Sequence, residues 1–492
     1  MTDASPPVGI TPVAAAQRVA GSTRLQLIGV ASLLVILTNA VTFLLPPLLP
    51  VIQAEYQITS VAAATWIFTL LTLGGGAGFI VLPKLSDVTG DRTAAVVASV
   101  ALTLGAGLIA VGNSYGALLA GAIVMGLGGA AQLLPLGFLR RTLGESGLAI
   151  SVAVLVMATG VGIVIGMIGG GLIVDYVSVQ MFFYILTACC ALTVVASALI
   201  IPQNAPDVSV RRIPVVGTTW LVAWIAALLL AMTQGLEWGM GALVPLAIGV
   251  LGAATWVQAQ RKTQTPVFDP SIAKSSVVVL SCVVIALIAM VNASFLVLMS
   301  NFAQVDPSWF LSPDDSYGLG LSALDTGMLM IPFAVTFLIG GAVAERPVAQ
   351  GRGLAVFVVG ALTSVVGLAL LLVVPDQEWS FLVASGVIGF GCSIVYSACF
   401  ALVQQAVREE KAGMAGAMVG TAMAIGFSLG SAVVTSVLSW TTHVIPGTDI
   451  EIAAKGQFST GYWIAIGIGA LIVVAVGALR SRIRIPSDAD RI

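Results

Sequence analysis

The chain has 492 residues, of which 58% are hydrophobic and only 9% charged. A soluble domain carries about 25% charged residues, so this chain has no polar skin with which to fold in water. Its 20 bases nearly balance its 22 acids, a net charge of -2, which disfavours nucleic acid as a partner. The five cysteines (Cys189, Cys190, Cys282, Cys392, Cys399) lie in apolar runs without a CxxC or metal spacing, and His443 is the one histidine. No disulfide framework, metal site or cofactor is expected, and most His-based acid–base chemistry is excluded.

From the N-terminus, Met1 to Thr23 is polar, with Pro6 and Pro7 and few charges. The first apolar run is too long for a signal-peptide core, so it is read as a retained anchor. A bilayer core needs about 20 apolar residues per helix. Fourteen such runs follow, near 25–49, 60–82, 93–112, 117–139, 148–174, 181–201, 218–234, 240–258, 276–303, 323–344, 354–374, 381–404, 413–439 and 461–479. Spans 7 and 8 divide at Gly235 to Gly239.

Lys and Arg near span ends accumulate on the cytoplasmic side. With the N-terminus inside, 19 of the 20 bases fall inside and only Lys455 falls outside, whereas the acids split eleven to each side. Arg outnumbers Lys 15 to 5, which points weakly to a GC-rich bacterial genome.

The chain also repeats itself. Glu145-Ser-Gly147-Leu-Ala149 opening span 5 answers Lys411-Ala-Gly413-Met-Ala415 opening span 13, and Met157-Ala-Thr-Gly160 answers Met423-Ala-Ile-Gly426. Gly126-Leu-Gly128 in span 4 likewise answers Gly389-Phe-Gly391 in span 12. Spans 1–6 and 9–14 therefore read as two copies that enter the membrane from the same side, related by an axis along the membrane normal. Spans 7 and 8 are an inserted hairpin framed by the polar linkers Gln203 to Gly217 and Gln260 to Lys274. The expected division is a cytoplasmic tail over 1–24, a six-helix bundle over 25–202 and a linker with two inserted helices over 203–274. A second six-helix bundle over 275–480 and a cytoplasmic tail over 481–492 complete it.

The loop after span 2 reads Pro83-Lys-Leu85-Ser-Asp87-Val88-Thr-Gly90-Asp91-Arg92. Gly90 suits a tight bend, and Asp87 can cap a helix or pair with a base. This loop resembles the signature G-x-L-a-D-r-x-G-r-r of the major facilitator superfamily through Leu85, Asp87, Gly90 and Arg92, with departures at Pro83, Val88 and Asp91. The resemblance implies that Asp87 and Arg92 latch the two halves on the cytoplasmic side. The matching loop after span 10 keeps Glu345 and Arg346, with Gly351-Arg352 beyond. In span 5, Gly162-x-x-x-Gly166-Met167-x-x-Gly170-Gly171 resembles the antiporter motif G-x-x-x-G-P-x-x-G-G of the drug-exporting branches, with Met167 in place of Pro. Small residues at spacing four also let helices approach closely. The fourteen spans, Thr265-Pro-Val-Phe-Asp269, the stretch Gly320 to Gly327 and Ile331-Pro332 resemble the fourteen-helix drug/proton antiporter branch. That branch has an acid in span 1, where Val41 stands here, and a base in span 4, where Ala122 stands.

No acid or base falls at the centre of any span; Asp175, Glu237 and Asp325 sit at outer span ends. In the superfamily the cavity is lined by the first and fourth helices of each half, here spans 1, 4, 9 and 12. Their polar residues are Thr38, Asn39, Thr42, Gln132, Asn292, Ser294, Ser393, Tyr396 and Ser397. A neutral cavity of amides, hydroxyls and apolar walls suits a hydrophobic or amphipathic small molecule, although each of these residues can equally bond one helix to another. The outer loop Val305 to Gly318 carries Asp306, Trp309, Phe310, Asp314, Asp315 and Tyr317, read either as an interfacial anchor or as a lid for lipid-like substrate.

The expectation is an all-α integral membrane protein of major facilitator fold in a bacterial cytoplasmic membrane, with both termini cytoplasmic. It is a monomeric alternating-access exporter rather than an enzyme, with a small hydrophobic or amphipathic molecule and membrane lipid as partners. Protons enter as a partner through the resemblance alone. The alternatives are a lipid translocator, a facilitator without proton antiport, and a non-transporting sensor on the same fold.

Overall fold

The computed structural model describes residues 21–174, 176–203, 214–234, 238–263, 266, 267, 272, 275–310, 316–407, 412–445 and 447–479. Arg211, Arg212, Lys274, Asp175, Glu237, Thr265, Phe268, Asp269, Asp314 and Asp315 lie outside the described residues. Fourteen helices within them are long and apolar enough to cross a membrane. Such helices satisfy every backbone group internally, which hydrocarbon demands.

The first six are α1 (Gly21–Glu55), α2 (Val61–Thr89), α3 (Asp91–Val111), α4 (Tyr115–Gly129), α5 (Leu134–Val164) and α6 (Val179–Ile200). The inserted pair is α7 (Val215–Thr233) and α8 (Leu243–Lys262). The last six are α9 (Ser276–Ala303), α10 (Ile331–Ala349, preceded by the short helix Ala323–Leu329), α11 (Gly353–Val373), α12 (Glu378–Ala406), α13 (Ala412–Leu438) and α14 (Lys455–Leu479). Between α13 and α14 the strands β1 (Thr442–Val444) and β2 (Glu451–Ala453) pair antiparallel, His443 opposite Ile452. An even number of crossings puts both ends of the described chain on one face, the termini face. The strand pair marks the other, the hairpin face.

Helices overrun the apolar runs. α2 takes in Pro83 and Asp87, so the turn expected over 83–92 shrinks to Gly90. That residue has φ 94, a conformation in which a Cβ is strained. After α10, which holds Glu345, Arg346 and Pro347, Gly351 turns the chain at φ 76. Residues 140–147, expected as the turn between spans 4 and 5, are helical. Hydropathy reports only the stretch in contact with lipid, and helical hydrogen bonding continues past it.

Within the first half α2 packs on α4, α3 on α4 and α6, and α1 on α5; within the second α10 and α11 pack on α12, and α9 on α13 and α14. The repeated glycine pairs show why. A Cβ on Gly126 would collide with Leu71 O of α2, and one on Gly128 would lie 2.5 Å from Ala98 O of α3. In the second half a Cβ on Gly389 would lie 2.5 Å from Phe333 O of α10, and one on Gly391 2.6 Å from Gly360 O of α11. Each pair thus lets the fourth helix of its half touch the second and third at backbone distance, the close approach that small residues permit in lipid.

The two halves meet along α2 and α13 and, across from these, along α5 and α10. Hydroxyl pairs cross the first contact: Thr69 with Ser431 at 2.9 Å and Thr72 with Ser428 at 2.8 Å, while Thr421 donates to Gly76 O at 3.3 Å.

Candidate functional site

Between the halves, α1 and α9 bring their polar residues to the middle of the molecule. Asn39 is buried; its Nδ2 donates to Val35 O at 2.8 Å and to Gln132 Oε1 at 3.3 Å. Gln132 follows α4 in a one-turn 3-10 segment, Ala130–Leu133. In the second half, Asn292 Nδ2 donates to the Tyr396 hydroxyl at 3.3 Å, tying α9 to α12. Asn292 Oδ1 is buried without a hydrogen-bond partner among the described residues. Each half therefore clasps its first and fourth helices through one amide-centred pair.

The other expected cavity residues point elsewhere. Thr38 is spent on its own helix, donating to Leu34 O and Val35 O at 2.9 and 3.0 Å, and Thr42 donates to Thr38 O at 3.0 Å. Ser294 reaches Gly430 O of α13 at 3.5 Å, Ser393 donates to Phe337 O of α10, and Ser397 lies against Gly341. Ser294 and Ser393 are thus helix-to-helix bonds. Of the nine residues, the structure gathers four into the two pairs.

An aromatic run that polar-residue reasoning missed completes the centre. Tyr396 meets Phe337 edge-on at 5.7 Å; Phe337 stacks on Phe333, and Phe333 on Phe295, at 5.7 and 6.0 Å. Phe43 of the first half closes the run against Phe333 at 6.1 Å. Phe333 with Phe337 at i,i+4 and Asn292 with Phe295 at i,i+3 share helix faces, a spacing visible in the sequence.

The glycines of span 5, at the end of α5 and in the turns that continue it to Val174, fasten that span to α1. A Cβ on Gly162 would lie 2.6 Å from Ile36 O, one on Gly166 2.5 Å from Ala40 O, and one on Gly170 3.3 Å from the Leu48 side chain. Without the family's proline, the helix still departs from α geometry: Ile165–Gly169 is a π turn, a feature common at functional sites. Its other side meets the second half, where Gly327 approaches Met167 O and a Cβ on Gly171 would lie 2.5 Å from Leu324 N.

The centre is closed toward the hairpin face. Gln304 Nε2, just after α9, donates to Pro47 O of α1 at 2.8 Å, and Gln53 Nε2 donates to Glu451 O at 3.0 Å. The Glu451 N–H donates to Thr59 O at 2.9 Å, so the edge of β2 grips the loop after α1. Residues 305–310 and 316–318 support this cap. Phe310 packs on Tyr317 and His443, and the buried Tyr317 donates to Ala453 O, burial raising its hydroxyl pKa. Half-buried Asp306 accepts from the Ser308 N–H, which holds its carboxyl below the usual carboxylate range. Trp309 is half-buried.

On the termini face Gly90 turns the chain, and Asp91 at the start of α3 is buried and takes the Ser86 hydroxyl. Glu345 and Arg346 are exposed, and Arg92 is half-buried. Lys84, which sequence reasoning left without a role, donates to the Pro266 and Val267 carbonyls, each at 3.2 Å.

Two helical halves around a shared centre, with crossing contacts that close one face, define a multi-pass membrane transporter. The chain belongs to the Major Facilitator Superfamily, whose family model matches residues 31–431. It is 24% identical over 463 residues to the puromycin resistance protein of Streptomyces alboniger, covering 91% of this chain and 88% of the relative. It is 22% identical to the multidrug resistance protein Stp of Mycobacterium tuberculosis, covering 80% and 71%. The tetracenomycin C resistance and export protein of Streptomyces glaucescens is also 22% identical, with 78% and 70% covered. Among solved structures, the nucleoside transporter NupG superposes with a TM-score of 0.62 at 13% identity, over 93% of this chain and 99% of that one. A bacterial homologue of the human peptide transporters PepT1 and PepT2 gives 0.60 at 14%, over 93% and 99%. These structures establish likeness of fold.

Proposed function

We propose that the protein is an alternating-access exporter of hydrophobic or amphipathic small molecules across a bacterial cytoplasmic membrane, with both termini cytoplasmic and the hairpin face outside. The bundles occupy 25–202 and 275–480, joined by the linker 203–274. The observation that carries this reading is the chemistry of the centre: two amide-centred pairs beside a run of aromatic rings, with Val41 and Ala122 where a charge would sit. Such a wall holds an apolar or aromatic body by area and stacking and orients it by a few hydrogen bonds. Resistance and export among the named relatives support the direction. The test is export of puromycin and tetracenomycin C from proteoliposomes holding the purified protein. Flux above protein-free vesicles is expected, and none with either compound or with a membrane-partitioning dye would reject the reading.

Proton antiport belongs to the branch this chain resembles. A second reading, an uncoupled facilitator or amphiphile translocator, is favoured by Val41 and Ala122, because a coupled exporter needs a group that titrates while facing each side in turn. Collapsing the proton gradient separates the two: the antiporter stops and the facilitator continues down the substrate gradient.

A further inference from the structure

Two halves that rock against each other present two seams to the bilayer, one along α2 and α13 and one along α5 and α10. The first is covered. α7 packs on both α2 and α13, and its Leu221, Ile225 and Leu229 form one apolar cluster with Trp66 and Leu73 of α2 and Ala432 of α13. Beyond α7, α8 packs chiefly on α7. The inserted pair is fastened to α2 at both ends. Toward the hairpin face the Trp66 indole donates to Thr233 Oγ1 at 3.0 Å in a buried bond. Toward the termini face Lys84 donates to the two carbonyls just after α8, and Gln260 Oε1 takes the Val267 N–H at 2.7 Å. On α13 the polar contact is the Ser436 hydroxyl on Met232 O, at 2.6 Å and exposed.

The second seam has no such cover: no third helix packs on both α5 and α10 among the described residues. There Leu338 lies over Gly160, its side chain 3.2 Å from where a Cβ would stand, and the neighbouring Val161, Val335 and Ile339 are exposed. Parting α2 from α13 breaks hydroxyl bonds, each worth about 0.6 kcal/mol between membrane helices. Swinging Leu338 off a bare glycine breaks none.

We propose that α7 and α8 are a seal carried by the first half, under which α13 slides as the halves rock. The seal leaves the α5–α10 seam, at Gly160 and Leu338, as the lateral route by which bilayer-dissolved substrate reaches the centre. The route rests on the substrate class proposed above, whereas the seal does not.

The test uses the full chain with its native cysteines replaced and one cysteine introduced at Leu338→Cys, at Leu73→Cys or, as a second covered position, at Ile80→Cys. Each carries a bimane label in phosphatidylcholine vesicles containing nitroxide-labelled lipid. Quenching is expected to be severalfold stronger at position 338 than at 73 or 80, and to rise at 73 when Trp66→Phe and Lys84→Gln loosen the cover. Equal quenching at the covered and uncovered positions overturns the seal. Export of the membrane-partitioning dye Nile red then tests the route. Leu338→Trp should slow it and Leu338→Ala speed it, at equal membrane abundance, with Ile248→Trp on the exposed flank of α8 as the neutral control. Indifference to both changes at position 338 overturns the route. A wild type that exports no Nile red fails the substrate class and with it the route, while the quenching contrast still decides the seal.

Discussion

At the scale of residues, the centre is read through Asn292. Nδ2 and Oδ1 of a carboxamide are told apart by their bonds, and with Tyr396 as the sole bonded neighbour among the described residues either orientation leaves one pole without a partner there. A buried polar atom without a partner costs about 1–3 kcal/mol, and a substrate that supplies the missing bond recovers that cost. Asn292→Ala is therefore expected to raise the export KM for a hydrogen-bonding substrate about tenfold, equivalent to about 1.4 kcal/mol. The same change should leave a purely apolar substrate unaffected; equal effects on both in a transport assay would deny Asn292 this role. Amides do not titrate, so without a proton gradient export should be flat between about pH 6 and 8, and a sigmoidal profile in that window would reveal a titrating group on the pathway. Gly162 makes a structural prediction. A methyl 2.6 Å from Ile36 O overpacks the α1–α5 contact, so Gly162→Ala should cost about 1–3 kcal/mol, seen as a lower melting temperature in detergent. Asn39, Gln132, Asn292 and Tyr396 could be picked from the sequence because polar groups stand out in apolar runs. For Phe295, Phe333 and Phe337 only the helical spacing is visible, and for Phe43 not even that, since an aromatic ring in such a run looks the same whether it faces lipid or a neighbour.

At the scale of elements, the cap on the hairpin face joins the halves through main-chain and amide bonds that must part for the centre to open there. Thr59→Cys with Glu451→Cys, in a background without the native cysteines, should form a disulfide under oxidation that stops export and should release it on reduction; export that survives complete cross-linking would show that this contact stays closed throughout the cycle. The existence of the helices was plain in the sequence, because runs of about 20 apolar residues have few other uses. Their ends were not. Pro83 and Asp87 read as a loop but complete the last turns of α2, and 140–147 reads as a loop but is helical. Polar composition there marks departure from hydrocarbon, not the end of helical hydrogen bonding. The π turn over Ile165–Gly169 also left no mark of its own, since Met167 stands where the related motif has its proline.

At the scale of the molecule, the repeat visible in Gly126-Leu-Gly128 and Gly389-Phe-Gly391 becomes two halves with the same internal contacts, and alternating access follows if those halves rock as units about Asn39–Gln132 and Asn292–Tyr396. What the sequence could not supply was which contacts close the faces, because Gln53 with Glu451 and Gln304 with Pro47 pair residues hundreds of positions apart with no shared motif. The most direct test is the distance between spin labels at exposed Gln57 of the first half and Thr448 of the second in vesicles, with and without a transported compound. The account predicts a short distance in the closed arrangement and a second, longer population as the hairpin face opens during transport. One short distance that never changes while substrate crosses the membrane would contradict it.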